Sequence, residues 1–141
     1  MDEIVLNIPG KPIAKKRHRI VHKTGHIYDP NAKDTARVIT QCLIPQSRGY
    51  EIFTGALFVK FEFVFKRPKS HYGTGRNKDK LKKSAPVFCN VVQDFDNLEK
   101  FVCDAMNTVI YGDDRQIVQS MTWKRWGSVA RSLITVRQLE E

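Results

Sequence analysis

Residues 91–118 read VVQDFDNLEKFVCDAMNTVIYGDDRQIV and place Asp94, Asp96, Asp113 and Asp114 around one helical stretch. Carboxylates supply the hard oxygens that Mg²⁺ takes as ligands. Lys100 follows Asp96 by four residues, so on a helix it projects to the same side one turn further on. Two acids, a lysine one turn away and a second acidic pair are the inventory for metal-dependent phosphodiester cleavage. In that chemistry a metal lowers the pKa of a bound water and neutralises charge on the phosphoryl oxygens. A lysine beside the phosphate orients the water or stabilises the developing charge.

A plainer account competes with this one. Either Asp94 or Asp96 can cap the helix that follows, where its dipole favours an acid. Lys100 then forms a surface pair with Asp96, Glu99 or Asp104, which contributes little. On that account the chain is a non-catalytic nucleic-acid-binding module. If residues 94–96 are extended, the side chains of Asp94 and Asp96 share one side about 7 Å apart. A nucleotidyl- or sugar-transferring enzyme could also use such a D-x-D, but no glycine-rich phosphate loop accompanies it here. DFDNLEKFVCDA is no calcium loop, because its sixth position is not glycine and Ala105 stands at its twelfth.

The charge balance points to a polyanion. Twenty-four Lys and Arg oppose fifteen acids, for a net charge of +9 and a pI near 9.6, and such a surplus suits nucleic acid. It is clustered. Lys11 to Lys23 carries six Lys or Arg and no acid, and Lys66 to Lys83 carries eight against Asp79 alone. Lys11, Lys15, Lys16, Arg17, Arg19, Lys66, Arg67, Lys69 and Arg76 are the candidate phosphate contacts, binding backbone rather than reading bases. His18, His22 and His26 recur every fourth residue, but Thr24-Gly25 breaks any helix there, so they too fit phosphate better than metal. Trp123 and Trp126 flank Lys124-Arg125 and fit partial core or dimer packing.

Cys42, Cys89 and Cys103 lie far apart with no C-x-x-C, against both a disulfide framework and a cysteine-rich zinc site. No apolar run approaches the roughly 18 residues of a membrane span, and the start MDEIVLNIPG lacks the basic region of a secretory signal. The expected setting is a reducing, intracellular one, the cytoplasm.

Elements must position these groups. Glu3 to Ile8 alternates as a strand and ends at Pro9-Gly10; the stretches around Thr24-Gly25 suggest two short strands at a turn. Residues 28–45 look helical, with Asp29 or Asn31 as cap and Pro45 as stop. Gly55 to Lys66 gives the strongest strand signal, and residues 66–93 follow as a long, flexible basic loop. A second helix runs from Asn97 to about Thr108 with Leu98, Phe101, Val102, Ala105, Met106 and Val109 as its apolar stripe. Two strands joined at Gly127-Ser128 close the chain. The sum is a single α+β domain with a mixed sheet of three to five strands and two main helices. A helix over residues 97–107 is about 16 Å long, so Asp113 and Asp114 begin at its far end. They either return along an extended segment or serve a site completed by another subunit.

Asp94-Phe95-Asp96-Asn97-Leu98-Glu99-Lys100, then Asp104-Ala105-Met106-Asn107, then Asp113-Asp114-Arg115-Gln116-Ile117-Val118 resemble the RusA family of Holliday-junction resolvases, found largely in phages and prophages. The opening IPGKPIAKKRHR followed by YDP is similar to that family's amino-terminal pattern. Where several members have Lys-Pro before the first aspartate, Val92-Gln93 stand here. The resemblance implies a RusA-like α+β homodimer that cuts four-way junction DNA by paired symmetric nicks in recombination and repair. Its ion would be Mg²⁺, with Mn²⁺ as substitute, and no small-molecule cofactor is implied. Asp94, Asp96 and Asp114 would be metal-binding catalytic acids, Asp113 a further metal neighbour, Lys100 the catalytic lysine, and Asp104 structural, pairing with Lys100.

Overall fold

The computed structural model describes residues 3–141; Met1 and Asp2, part of the reading of the chain's start, lie outside them. Alternation fixes the strands. β1 (Glu3–Pro9) buries Ile4, Leu6 and Ile8, and β4 (Leu57–Lys66) buries Leu57, Val59, Phe61, Phe63 and Phe65. β5 (Ile117–Gly127) and β6 (Arg131–Gln138) complete a sheet of order β1-β6-β4-β5, in which β4 and β5 run parallel and the other pairs antiparallel. This is the expected mixed sheet. The short pair β2 (Arg19–Val21) and β3 (His26–Tyr28) forms a separate hairpin, as the turn at Thr24-Gly25 predicts.

β5 and β6 are consecutive in sequence yet lie on either side of β4. The connection between them crosses the end of β4, and an ideal Cβ on Gly127 would stand 2.6 Å from Val64 Cγ1. Glycine is required there by close approach.

α1 (Ala32–Val38) runs on through a π-helical stretch, Ile39–Leu43, into the short turn α2 (Ile44–Gln46). Pro45 therefore lies inside the helical run rather than ending it. A proline lacks the N–H that an α-helix would use and crowds the preceding turn, and the widened π stretch directly before it relaxes the i→i−4 ladder. α3 (Phe95–Met106) starts two residues earlier than the apolar stripe suggests and buries Leu98, Phe101, Val102, Ala105 and Met106. These helices and the inward residues of the sheet form one cluster with Tyr111.

Residues 67–93 contain short 3₁₀ turns at Lys69–His71 and Gly75–Asn77 rather than strands or long helices. They are nonetheless held. Lys82 N donates to His71 O and Gly73 N to Lys80 O, while Cys89 N donates to Lys124 O and Trp126 N to Val87 O on the outer edge of β5. Isolated bridges of this kind have no period, so the sequence reads them as plain loop.

Candidate active site

α3 carries the first acids. Asp94 occupies its N-cap with extended backbone (φ −70°, ψ 138°), but its side chain makes no capping hydrogen bond. Asp96 already lies in the first helical turn, so the two do not share an extended strand; its Oδ1 accepts only from the adjacent Asn97 N, at 2.9 Å. Both are exposed. Capping thus leaves Asp94 unexplained. Lys100 projects one turn beyond Asp96 and is also exposed.

The basic arm lies along the same helix. Lys15 N donates to Asn97 O at 2.9 Å, and Lys15 Nζ reaches Asp104 Oδ2 at 3.0 Å and Asp29 Oδ2 at 3.5 Å. Asp104 therefore pairs with Lys15, not with Lys100 as expected. Burial pulls the Lys15 ammonium down, but the hydrogen bond and charge of Asp104, with Asp29 behind them, outweigh it and raise its pKa. Asp29 is lowered, first by the Asn31 N–H and then by Lys15. Asn31 sits at the start of α1 but caps nothing; its buried amide accepts from Lys16 N at 2.7 Å and donates to Ala14 O at 3.2 Å. The result is a groove of about 580 Å³ lined by Lys15, Lys16, Arg17 and His18 on one side and Asn97, Lys100 and Asp104 on the other.

The second acid pair sits on a tight turn. The chain leaves α3, folds back at Thr108 (φ 65°) through Tyr111, and enters a 3₁₀ turn at Asp114–Gln116. Tyr111 is fully buried and its hydroxyl donates to Cys103 O at 3.2 Å, which seats the turn against α3. Asp113 is the cap here: its Oδ1 accepts from Arg115 N at 2.9 Å, and that bond, ahead of the Arg115 charge, holds its pKa down. Asp114 is exposed yet raised, by desolvation first, then by the Asp113 carboxyl and by the charge of Asp104, with Lys100 opposing. It thus stands in the field of Lys100 and Asp104. Burial first, then the charges of Asp114, Glu99 and Asp104, push the Cys103 thiol up to about 11, so it is an inert neighbour.

The return is partial. Lys100 lies about 9 Å along the axis from Asp94, at 1.5 Å per residue. Among the described residues no three of His, Cys, Asp and Glu stand together as a set that could hold a metal. The donor chemistry suits a hard ion, but one chain carries these carboxylates as two pairs, Asp94 with Asp96 at the start of α3 and Asp113 with Asp114 on the turn that follows it. One chain alone gathers no three-ligand centre among its described residues.

Other predicted contacts are dispersed. Lys11 lies beside the groove with Gln93 and Asn97; Arg19 is exposed on β2. Lys66 is exposed at the end of β4, and Lys69 and Arg76 are exposed on the 3₁₀ turns. Arg67 is engaged, donating to Pro86 O at 2.7 Å and lying 3.4 Å from His71 Nδ1. Trp126 packs edge-on to Phe65 and His71, while Trp123 remains 40% exposed, stacked on Phe88.

The roles of two residues escaped the sequence reading. Lys124 Nζ donates to Val92 O at 2.7 Å and Gln93 O at 2.6 Å, directly before Asp94. Gln116 closes the turn that bears Asp114. Lys124 has no signature of spacing, because its partners are distant backbone groups, whereas Gln116 stands three residues after Asp113, the spacing of the capping box that the turn forms.

The profile of the family described as Endodeoxyribonuclease RusA matches residues 9–137. The chain belongs to the RusA endodeoxyribonuclease family. That match spans the basic arm, α3 and the Asp113-Asp114 turn together. The chain is also similar to "Uncharacterized protein YqaN" of Bacillus subtilis (strain 168), at 28% identity over 141 residues, covering 99% of each chain. No helix among the described residues is long and apolar enough to cross a membrane.

Proposed function

We propose that this RusA-family chain is a structure-selective endonuclease that resolves four-way DNA junctions by paired nicks in recombination and repair, with Mg²⁺ or Mn²⁺ required. The observation that supports it most is the seam between the basic arm and α3. Backbone pairing of Lys15 with Asn97 sets Lys16, Arg17 and His18 across a groove from Lys100, so a phosphate drawn in by the arm meets the face between the two carboxylate pairs. Asp94, Asp96 and Asp114 are the acids of the reaction and would be the ion's ligands, with Asp113 fixing the backbone beside Asp114. Lys100 stabilises charge at the scissile phosphate. Lys11, Lys16, Arg17, Arg19, Lys66, Lys69 and Arg76 bind phosphates elsewhere on the junction. Lys15 and Arg67 act through the arms that they anchor. Two cuts in a two-fold symmetric substrate are served by a homodimer.

The test is incubation of wild type, Asp94→Asn and Asp96→Asn with labelled four-way junction and linear duplex, in Mg²⁺ or EDTA. Paired nicks in the junction alone, from wild type with Mg²⁺ only, are expected. Binding without a cut under every condition would return the acids to a structural role.

A further inference from the structure

We propose that Gln116 is a positioning residue for cleavage, holding the backbone of the Asp113-Asp114 turn so that the Asp114 carboxylate is kept in one exposed position between α3 and the sheet. The inference rests on the endonuclease reading above.

A carboxamide has two acceptor sites and two donor hydrogens, and Gln116 uses all four on backbone. Its Oε1 accepts from Gly112 N at 2.9 Å and Asp113 N at 3.0 Å, while its Nε2 donates to Phe53 O and Gly55 O, both at 3.0 Å. Two N–H groups on one side and two carbonyls on the other leave a single orientation for the amide. Glutamate would set an oxygen against the carbonyls of Phe53 and Gly55. A methionine of similar length would make none of the bonds.

What the amide joins explains its use. Residues 53–55 lead into β4, and β5, the parallel partner of β4, begins at Ile117 immediately after Gln116. At the other end of the turn, buried Tyr111 is tied to Cys103 on α3. The acid pair is therefore strung between helix and sheet, pinned at both ends, with Asp113 spent on Arg115 N and the Asp114 carboxylate left facing solvent. The fit is close, since an ideal Cβ on Gly112 would stand 3.2 Å from Gln116 Oε1. Preorganisation of this kind matters because a displacement of about 1 Å at a reacting group can cost around a hundredfold in rate.

The test compares wild type, Gln116→Met and the milder Gly112→Ala, which crowds the same amide. Junction nicking should fall about tenfold or more in kcat, with KM and junction affinity within about twofold, the mark of an interaction used in the transition state. Amide exchange at Gly112 and Asp113, whose N–H groups Gln116 Oε1 holds, should quicken in both variants. Variants that are less stable but, below their melting temperatures, nick at the wild-type kcat would overturn the proposal. If Gln116→Met does not fold, Gly112→Ala decides on the same readouts. If wild type cuts no junction, the endonuclease reading fails by itself, and amide exchange at Gly112 and Asp113 judges whether Gln116 holds the turn.

Discussion

Lys15 Nζ lies 3.0 Å from Asp104 Oδ2, and through this pair the basic arm is locked onto α3. The Lys15 side chain is only 16% accessible, so its charge serves the protein before it serves a phosphate. Lys15→Met should lower stability by about 1.5–3 kcal/mol, the scale of hydrogen bonds to charged groups. The pH dependence has two limits. Lys15 is raised, so its contribution is full below the ordinary lysine value of 10.5 and is lost as pH climbs through the raised one. Asp29 is lowered, so its contribution is present above 3.8 and is lost as pH falls through the lowered value. Urea unfolding of both proteins from pH 3 to 11 should show the difference widest in the middle; a flat difference would mean the pair contributes nothing.

Asp114 behaves in the opposite sense. Its raised pKa means that the fold holds its proton more tightly than the unfolded chain does, so ionisation above 3.8 costs stability. Asp114→Asn should melt higher than wild type at pH 7, lose that advantage as pH drops below the ordinary value, and cut no junction. Equal melting at pH 7 would show that Asp113 and Asp104 impose no strain on it.

Exposed Lys16 and Arg17 should carry the electrostatic part of junction binding. Each one changed to Ala is expected to weaken binding and to reduce the slope of log K against log salt by about 0.9. Anisotropy titrations with labelled junction at several salt concentrations measure this. An unchanged slope would remove the arm from the contact surface.

β1, β4, β6 and α3 were legible because each has a period: alternation in the strands, and an apolar stripe from Leu98 to Met106. The relative placement of Asp96 and Lys100 was legible for the same local reason, since they share a helix. What the sequence hid is set by distant partners. Nothing in the stretch around Gly127 says that β5 and β6 straddle β4, because strand order depends on which edges the core leaves free. Asn31 reads as a helix cap, yet its amide is more fully used between Lys16 N and Ala14 O. Asp113 and Asp114 look alike as letters, and only the turn's backbone gives one the Arg115 N–H and leaves the other free.

Lys124 holds the entry to α3. Its ammonium accepts no bond and donates to the carbonyls of Val92 and Gln93, and Gln93 is kept at φ 32°, a region that a non-glycine residue enters at a cost of about 1–3 kcal/mol. Such a conformation persists only where surrounding contacts over-determine it, and here those contacts include one cation placed on two carbonyls from β5. The next residue is Asp94, so loss of Lys124 should reach the acids without touching them. In Lys124→Met, amide exchange over residues 91–95 should quicken, and junction nicking should fall about tenfold with affinity within twofold, the pattern of a misplaced catalytic group. Exchange as slow as in wild type would mean that the strained backbone is held by its other neighbours, and that Lys124 is dispensable to the site.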